Sequence, residues 1–340
     1  MVGDIGYLHH VGHVVQDMKE ALALYQRLGF TLPPPAYPAM APREGAPVEP
    51  FGAANTHAEF SRNFIELVTC VRDGEPHRMP SEAKLVALQA PAEVLPTLIE
   101  RIANTSATIE ACLRRFEGLH ILFVQSPDID AAAERLRGYG VRHGGVNTVR
   151  RPVETLQGTV TENVRYLEID GDEPDARPGT VPEGRVGIAA GKPSGVPVPP
   201  HPNGATELAD VVLCVADSEL ATVERRYETY LGQAARPGAA GPGAAGPGAA
   251  GPGHPGRVFD LDGTALTLVG GSDLEELLPG ERPPALPALT AYAVTVEDIA
   301  VTRDLLRRNG FTLGRTAAGD IFVPAAAALG TAVIFREAIG

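Results

Sequence analysis

The pattern of apolar and polar positions repeats four times along the chain. Each copy opens with an apolar run that is typical of a β-strand, continues with apolar residues at helical spacing, and stops at a glycine. In the first copy the helix is predicted over Met18–Leu28 and the glycine is Gly29. The opening runs are Leu8–Val15, Leu119–Val124, Leu208–Val215 and Leu289–Val294. This regular order predicts four copies of one structural unit.

Each copy closes with short strands. The predicted last strands are Asn63–Val68, Val164–Ile169, Thr264–Val269 and Thr331–Phe335. Every unit therefore has the order βαβββ. Because a single unit of this size leaves one face of its sheet uncovered, units are expected to pair and to share a core. The sequence predicts an α+β fold in which four βαβββ modules pair into two half-open barrels.

Composition divides the chain into two halves. Residues 171–205 are rich in Gly and Pro, which predicts a linker between a first half, 1–170, and a second half, 206–340. The first half comprises the modules 1–70 and 118–170 and a predicted helical bridge, 91–117. In the second half, residues 238–253 repeat Gly-Ala-Ala-Gly-Pro. So much Gly and Pro cannot build a core, and this stretch predicts a flexible surface loop.

Charge, hydropathy and cysteine content limit the possible partners. The 340-residue chain carries a net charge of −13 and has no basic run, which argues against nucleic acid or an anionic membrane as a partner. No apolar segment approaches the roughly 20 residues of a membrane helix, and no secretory signal is expected. Cys70, Cys112 and Cys214 are far apart, as in a reduced, cytoplasmic protein. The expected partner is a small molecule.

Two histidines and two glutamates occupy matched places in the first two units. His10 and His120 lie in the opening strands, and Glu66 and Glu168 lie in the predicted last strands. Because alternate residues of a strand share a face, all four side chains can converge inside one barrel. Two imidazoles and two carboxylates suit one divalent transition metal (Zn, Mn, Fe, Co or Ni). Octahedral geometry would leave two adjacent positions for a bidentate substrate.

These motifs resemble the vicinal oxygen chelate superfamily, which includes glyoxalases, fosfomycin and bleomycin resistance proteins, and extradiol dioxygenases. The resemblance rests on His10-Val-Gly, on Glu66 within Phe-Ile-Glu-Leu, and on Glu168 within Tyr-Leu-Glu. The segments Gly-Ala-Ala-Asn-Thr (52–56) and His-Pro-Asn-Gly-Ala (201–205) resemble its glyoxalase-like branch. The resemblance implies a metal-dependent enzyme built from paired βαβββ modules.

The second half has none of these four ligands at the matched positions. Those positions hold Asp210, Thr267, Thr290 and Phe335. This half is therefore predicted to be structural or to form a homodimer. Within the first half, His9 and His13 lie an odd number of residues from His10. They are expected on the opposite face of the strand, as packing or surface residues.

Three functions are compatible with such a site. In the first, the metal chelates a hydroxyketone and acidifies the adjacent C–H, and Glu168 or Glu66 acts as general base. His57 and His143 begin strands near the expected cavity and are candidate catalytic partners. The second function is extradiol ring cleavage, and the third is non-catalytic antibiotic binding. Four protein ligands leave too few metal positions for a catecholate plus dioxygen, which favours enolisation.

Two proline- and glycine-containing segments narrow the first function. Residues 33–40 (Pro-Pro-Pro-Ala-Tyr-Pro-Ala-Met) and 52–57 (Gly-Ala-Ala-Asn-Thr-His) resemble the actinobacterial epimerases of 2-epi-5-epi-valiolone. This substrate is a cyclic ketone that leads to C7-cyclitol natural products, such as antibiotics. The resemblance implies an isomerase that epimerises the carbon beside the ring ketone.

Overall fold

The computed structural model describes residues 3–41, 46–71, 78–88, 93–155, 158–173, 176–191, 198–238 and 256–338. Apart from Gly238, the predicted loop 238–253 lies outside these ranges. The helices are α1 (Met18–Arg27), α2 (Leu95–Arg115), α3 (Ile129–Gly138), α4 (Leu220–Leu231), α5 (Leu274–Leu277) and α6 (Ile299–Arg308). The strands of the first half are β1 (Leu8–Val14), β2 (Ala36–Met40), β3 (Glu49–Pro50), β4 (Ala53–Glu59), β5 (Phe64–Cys70), β6 (Lys84–Ala87), β7 (Gly118–Gln125), β8 (Asn147–Thr155), β9 (Gly158–Glu168) and β10 (Arg185–Ala190). Those of the second half are β11 (Ala205–Val215), β12 (Arg236–Pro237), β13 (Arg257–Leu261), β14 (Thr264–Gly270), β15 (Ala288–Val296), β16 (Gly314–Arg315), β17 (Ile321–Val323) and β18 (Ala332–Glu337).

The four-module α+β fold is confirmed. In the part of the chain that the structure describes, the strands form one continuous sheet that does not close. The first strand of each module pairs in parallel with its last strand: β1 with β5, β7 with β10, β11 with β14, and β15 with β18. The modules pair through their first strands, because β1 runs antiparallel to β7 and β11 antiparallel to β15.

The long helix of three modules begins after an aspartate. Asp17, Asp128 and Asp298 each accept backbone N–H groups of the first helical turn. This N-cap satisfies donors that have no partner within the helix. The glycines Gly29, Gly140 and Gly310 follow these helices with φ between 78° and 85°. Glycine adopts this left-handed conformation without steric cost, which explains why the repeated pattern stops there.

The last strand of the second module differs from the prediction. The residues predicted to close the module, Val164–Ile169, mostly belong to β9, which pairs with β8. The strand that pairs in parallel with β7 is β10, at Arg185–Ala190. The linker prediction for 171–205 is therefore wrong for this segment. The sequence Arg-Val-Gly-Ile-Ala-Ala lies in a Gly- and Pro-rich stretch. The segment is short and half of its side chains are Gly or Ala, so its pattern does not indicate a strand.

Helix α2 lies within the predicted bridge 91–117 and covers one end of the first half's concave sheet face. Ile109 and Cys112 of α2 are buried against Val68, Ile121 and Phe123. The opposite face of the same strands packs on α1 and α3 in a core that extends into the second half. The concave face therefore has one end closed by α2. None of the described helices is long and apolar enough to cross a membrane.

A buried hydrogen-bond chain joins the two halves. His13 Nδ1 lies 2.9 Å from the Tyr25 hydroxyl, which accepts a hydrogen bond from Tyr292 of β15 at 3.1 Å. His13 Nε2 lies 2.8 Å from the backbone oxygen of Leu329. Burial lowers the pKa of His13 to about 4. His13 is therefore a neutral packing residue, in agreement with its predicted role.

Candidate functional site

The candidate site lies on the concave face of the first half, where β4, β5 and β1 meet. Strand alternation turns Glu66 of β5 to this face, whereas its neighbours Ile65 and Leu67 enter the core. His57 of β4 is directly opposite Glu66 in the antiparallel pairing. Asn55 lies two residues before His57 and shares its face. The β4–β5 hairpin thus places an amide, an imidazole and a carboxylate side by side.

Glu66 is ionised and held by polar neighbours. Asn55 Nδ2 donates to Glu66 Oε1 at 2.7 Å. Burial on its own raises the pKa of Glu66, but His57, His10 and Asn55 outweigh burial and hold that pKa well below its ordinary value. His57 Nε2 lies 3.8 Å from Glu66 Oε1, which is too far for a hydrogen bond. The attraction between them is therefore electrostatic.

His57 has an unpaired nitrogen beside a cavity. The residue is only 8% exposed, and its Nε2 atom is buried without a hydrogen-bond partner among the described residues. A buried polar atom without a partner is costly in a folded protein. A bound molecule that reaches this nitrogen would remove the cost.

Two cavities meet at the walls formed by Glu66 and Arg185. The larger, about 310 Å³, includes Pro33, Pro38, Asn55, His57 and Thr105 in its lining. The smaller, about 200 Å³, includes His9, His10, Phe123, Val149 and Tyr166 in its lining. His10 stacks between Phe64 and Phe123, with ring centroids 4.6 and 4.7 Å away. One polar pair therefore borders both a proline-rich and an aromatic compartment.

Arg185 and Glu168 form an ion pair on the same concave face. Arg185 Nε donates to Glu168 Oε1 at 2.8 Å, and Nη2 contacts the same oxygen. Gly187 of β10 pairs with Glu168 of β9, which brings the two side chains together. The side chains are 20% and 23% exposed. The sequence did not predict a role for Arg185, because its strand was predicted as linker.

His120 and His143 lie away from both cavities. His120 is completely buried, with Nε2 at 2.9 Å from the backbone oxygen of Phe116. Burial lowers the pKa of His120 to about 4, and its Nδ1 has no partner among the described residues. His143 Nε2 lies 3.2 Å from the backbone oxygen of Ala133, and its Nδ1 accepts from the backbone N–H of Gly145. Each imidazole is turned toward main chain.

A β-bulge explains the positions of the histidines. In the β1–β7 pairing the register skips His9 on one strand and His120 on the other. The two bulged residues are therefore equivalent, and the structural counterpart of His10 is Ile121 rather than His120. Because a bulge shifts strand alternation by one residue, His9 lines the same cavity as His10. The prediction that His9 faces the opposite side is wrong.

The same register relates the rest of the two modules. Glu66 pairs with Gly12 in the first module, and Gly187 pairs with Phe123 at the corresponding place in the second. The counterpart of Glu66 is therefore Gly187, and Glu168, which pairs with Gly187, corresponds to His57. The second module does not repeat the His–Glu pattern that the sequence suggested.

The four predicted metal ligands do not form a coordination set in this arrangement. Only His10 and Glu66 line a common cavity, Glu168 is paired with Arg185, and His120 faces the Phe116 carbonyl. No group of three or more His, Cys, Asp or Glu side chains is placed to hold a metal ion among the described residues. A guanidinium also opposes a second cation at close range. The divalent metal stays a prediction from the family resemblance.

The matched positions in the second half carry a different polar pair. In the second half Asp210 pairs with Ala265, as His10 pairs with Phe64 in the first half. Val212 pairs with Thr267, as Gly12 pairs with Glu66. Asp210 therefore corresponds to His10, and Thr267 corresponds to Glu66. Thr267 Oγ1 lies 3.1 Å from both carboxylate oxygens of Asp210. The second half therefore keeps the strand geometry with a short, buried hydrogen-bonded pair in place of His10 and Glu66.

Comparisons with known proteins agree with this architecture. A family model described as a glyoxalase-like domain matches residues 8–231, and the chain belongs to that family. A hypothetical protein from Staphylococcus aureus is 9% identical, with 98% of this chain and 100% of that chain covered and a TM-score of 0.54. A triple mutant of 4-hydroxymandelate synthase from Streptomyces coelicolor is 13% identical, with 98% and 92% covered and a TM-score of 0.53. No curated protein matches the chain. The fold is that of the vicinal oxygen chelate superfamily.

Proposed function

We propose that this protein is an isomerase that epimerises a small hydroxyketone by moving a proton at the carbon beside the carbonyl. The observation that supports it is the unpaired Nε2 of His57, which lies beside the ionised Glu66 at the edge of a cavity. An imidazole nitrogen without a hydrogen-bond partner can accept a proton from a bound molecule, and a neighbouring carboxylate stabilises the cation that forms. Of the four candidate catalytic residues, only these two border the same cavity.

The chemistry follows from the charges of the pair. Neutral His57 takes the proton from the substrate carbon at Nε2, and the C–H electron pair forms the enolate double bond. Glu66 stabilises the resulting imidazolium across the 3.8 Å gap. A proton from solvent water then adds to the opposite face of the carbon and gives the epimer, and His57 releases its own proton to solvent, so the step balances. Asn55 binds one oxygen of Glu66 and holds the carboxylate in place.

The size of the cavity supports a small substrate. A volume of about 310 Å³ lies at the lower end of the roughly 300–1,000 Å³ range of ligand sites. It suits a monosaccharide-sized molecule such as a cyclic hydroxyketone. We therefore propose 2-epi-5-epi-valiolone as the first substrate to test, on the basis of the sequence resemblance.

Proton exchange in heavy water tests this function. The protein should catalyse the incorporation of deuterium into the substrate at the carbon beside the carbonyl, without consuming oxygen. NMR measures this incorporation. His57→Gln should slow exchange by about 100-fold or more, which is the usual size of a general acid–base contribution. His143→Gln is the matched control and should keep the wild-type rate, because His143 lines neither cavity.

Three outcomes would contradict the proposal. Absence of exchange with every hydroxyketone would show that the site does not catalyse enolisation. Oxygen uptake with catechols would instead support ring cleavage, and tight antibiotic binding without turnover would support a binding protein.

A further inference from the structure

Arg185 is a positively charged residue in the lining of both cavities. Its guanidinium carries five N–H donors, of which the Nε and one Nη2 hydrogen reach Glu168. Donors that Glu168 does not use are available to a molecule in either cavity. At the equivalent position of the first module stands Phe64, so the charge is a feature of the second module alone.

The local charges define what the site can accept. Glu66 and Glu168 are negative and Arg185 is positive, so the three groups together carry a charge of −1. Glu168 and Arg185 neutralise each other, whereas half-buried Glu66 has no arginine or lysine partner among the described residues and is hydrogen-bonded to the neutral amide of Asn55. A carboxylate or phosphate beside Glu66 would meet a like charge at low local dielectric. A neutral hydroxyketone would not.

We infer that Arg185 is a catalytic residue of the proposed reaction, which binds the carbonyl oxygen of an uncharged substrate, and that Glu168 is its positioning residue. This inference rests on the proposed function. When His57 removes the proton, the electron pair of the C–H bond becomes the C=C bond and the carbonyl π pair moves to oxygen. The guanidinium then stabilises the oxyanion, while the imidazolium neutralises Glu66. Solvent water supplies the proton on the other face while the C=C pair returns to form the C–H bond and the oxygen pair re-forms the carbonyl. His57 loses its proton to solvent, so no oxidant or reductant is needed.

The arrangement gives Arg185 the role that a divalent metal has in the sequence-based hypothesis. A planar guanidinium, fixed by a carboxylate through two N–H groups, is a preorganised donor for a developing oxyanion. Glu168 fills the position that corresponds to His57, so it cannot serve as a second proton carrier while it holds Arg185. The two modules therefore contribute different halves of one reaction.

Variants of Arg185 test the inference through rescue and kinetics. Arg185→Ala should lower kcat for deuterium exchange by about 100-fold or more, the usual size of a lost oxyanion donor, with a smaller change in KM. Added guanidinium at millimolar concentration should restore at least a tenth of the lost rate, which a purely structural role would not allow. Glu168→Gln should reduce kcat less, and guanidinium should not restore it.

The matched control is Arg257→Ala. Arg257 Nε also donates to a glutamate, Glu224, at 3.1 Å, but in the second half and away from both cavities. This variant should keep wild-type exchange and should not respond to guanidinium. Circular dichroism and thermal midpoints establish that each variant is folded. Deuterium exchange by the wild type should also persist when a chelator such as EDTA is added, because Arg185 rather than a metal ion stabilises the oxyanion.

Ligand binding separates this inference from the proposed function. By calorimetry, 2-hydroxycyclohexanone should bind the wild type at least tenfold more tightly than 2-hydroxycyclohexanecarboxylate, and Arg185→Ala should lose most of the ketone affinity. If the wild type binds this way but exchanges no proton, the epimerase proposal fails and the role of Arg185 in binding stands. Tighter binding of the carboxylate, wild-type kcat in Arg185→Ala, or exchange that requires an added divalent metal would overturn the inference.

Discussion

Replacing Asp210 with asparagine tests how the second half accommodates a buried carboxyl group. Asp210 is 9% exposed and hydrogen-bonded to Thr267. Arg336 Nη2 lies 3.9 Å from its carboxylate. Burial raises the pKa of Asp210 to about 6, and the charge of Arg336 offsets only part of this rise, while Asp320 adds to it. The folded state therefore favours the protonated acid near and below pH 6.

The sign and size of the effect follow from proton linkage. The ordinary pKa of this group is 3.8, so the folded protein binds the proton more tightly than the unfolded chain does. The stabilisation is complete below pH 4 and is lost as the pH rises through about 6. A shift of about two pKa units corresponds to roughly 3 kcal/mol of unfolding free energy, of which about 2 kcal/mol is lost between pH 4.5 and 8.

Urea denaturation at several pH values measures this contribution. Asparagine does not titrate, so the unfolding free energy of Asp210→Asn relative to wild type should improve by about 2 kcal/mol from pH 4.5 to pH 8. Taking the difference cancels the titration of all other groups. Thr267→Val keeps the carboxyl and removes a hydroxyl whose hydrogen bond lowers the pKa of Asp210, so this variant should show a pH dependence at least as large as that of the wild type. Parallel pH curves for wild type and Asp210→Asn would refute the reasoning.

Two further predictions concern the first half's histidine and the second half's repeat. His120→Ala should have the same metal content as the wild type by elemental analysis, because His120 faces the Phe116 carbonyl and lines neither cavity. A clear loss of bound metal in this variant would support the four-ligand hypothesis. Shortening residues 238–253 to a few residues should leave exchange activity nearly intact, because loop-closure entropy varies slowly with loop length; a large loss would show that this stretch acts in the site.

Hydrophobic periodicity predicts the fold because the four modules repeat the same physical signals. Helix α1 matches its predicted span to within one residue. An aspartate cap precedes each of the helices α1, α3 and α6, and a glycine follows it. The opening strands are equally clear, because β-branched and leucine residues fill the buried face. Local sequence is sufficient where the start signal, the periodicity and the stop signal agree.

Hydrophobic periodicity does not predict strand β10, because this segment is a strand through its pairing with β7 and β9. Val186 and Ile188 enter the core, but Gly187 is required on the other face, where a Cβ atom would lie 2.5 Å from the Leu167 backbone oxygen. A glycine in the middle of a short strand reads as a loop signal in sequence. Because the sequence does not predict β10, Val164–Ile169 is the last predicted strand and the predicted module ends at residue 170, which leaves Arg185 in the predicted linker.

The bulges at His9 and His120 explain why His10 and His120, which match in the sequence pattern, are not structurally equivalent. Identical folds relate the two modules, yet equivalent positions carry different chemistry: His57 corresponds to Glu168, and Phe64 to Arg185. In the proposed reaction the first module supplies the groups that transfer a proton, and the second supplies a fixed positive charge. Because β1 and β7 pair at the centre, both sets face one concave surface. The shared strand register fixes where side chains meet, and the identity of each residue then decides what they can do.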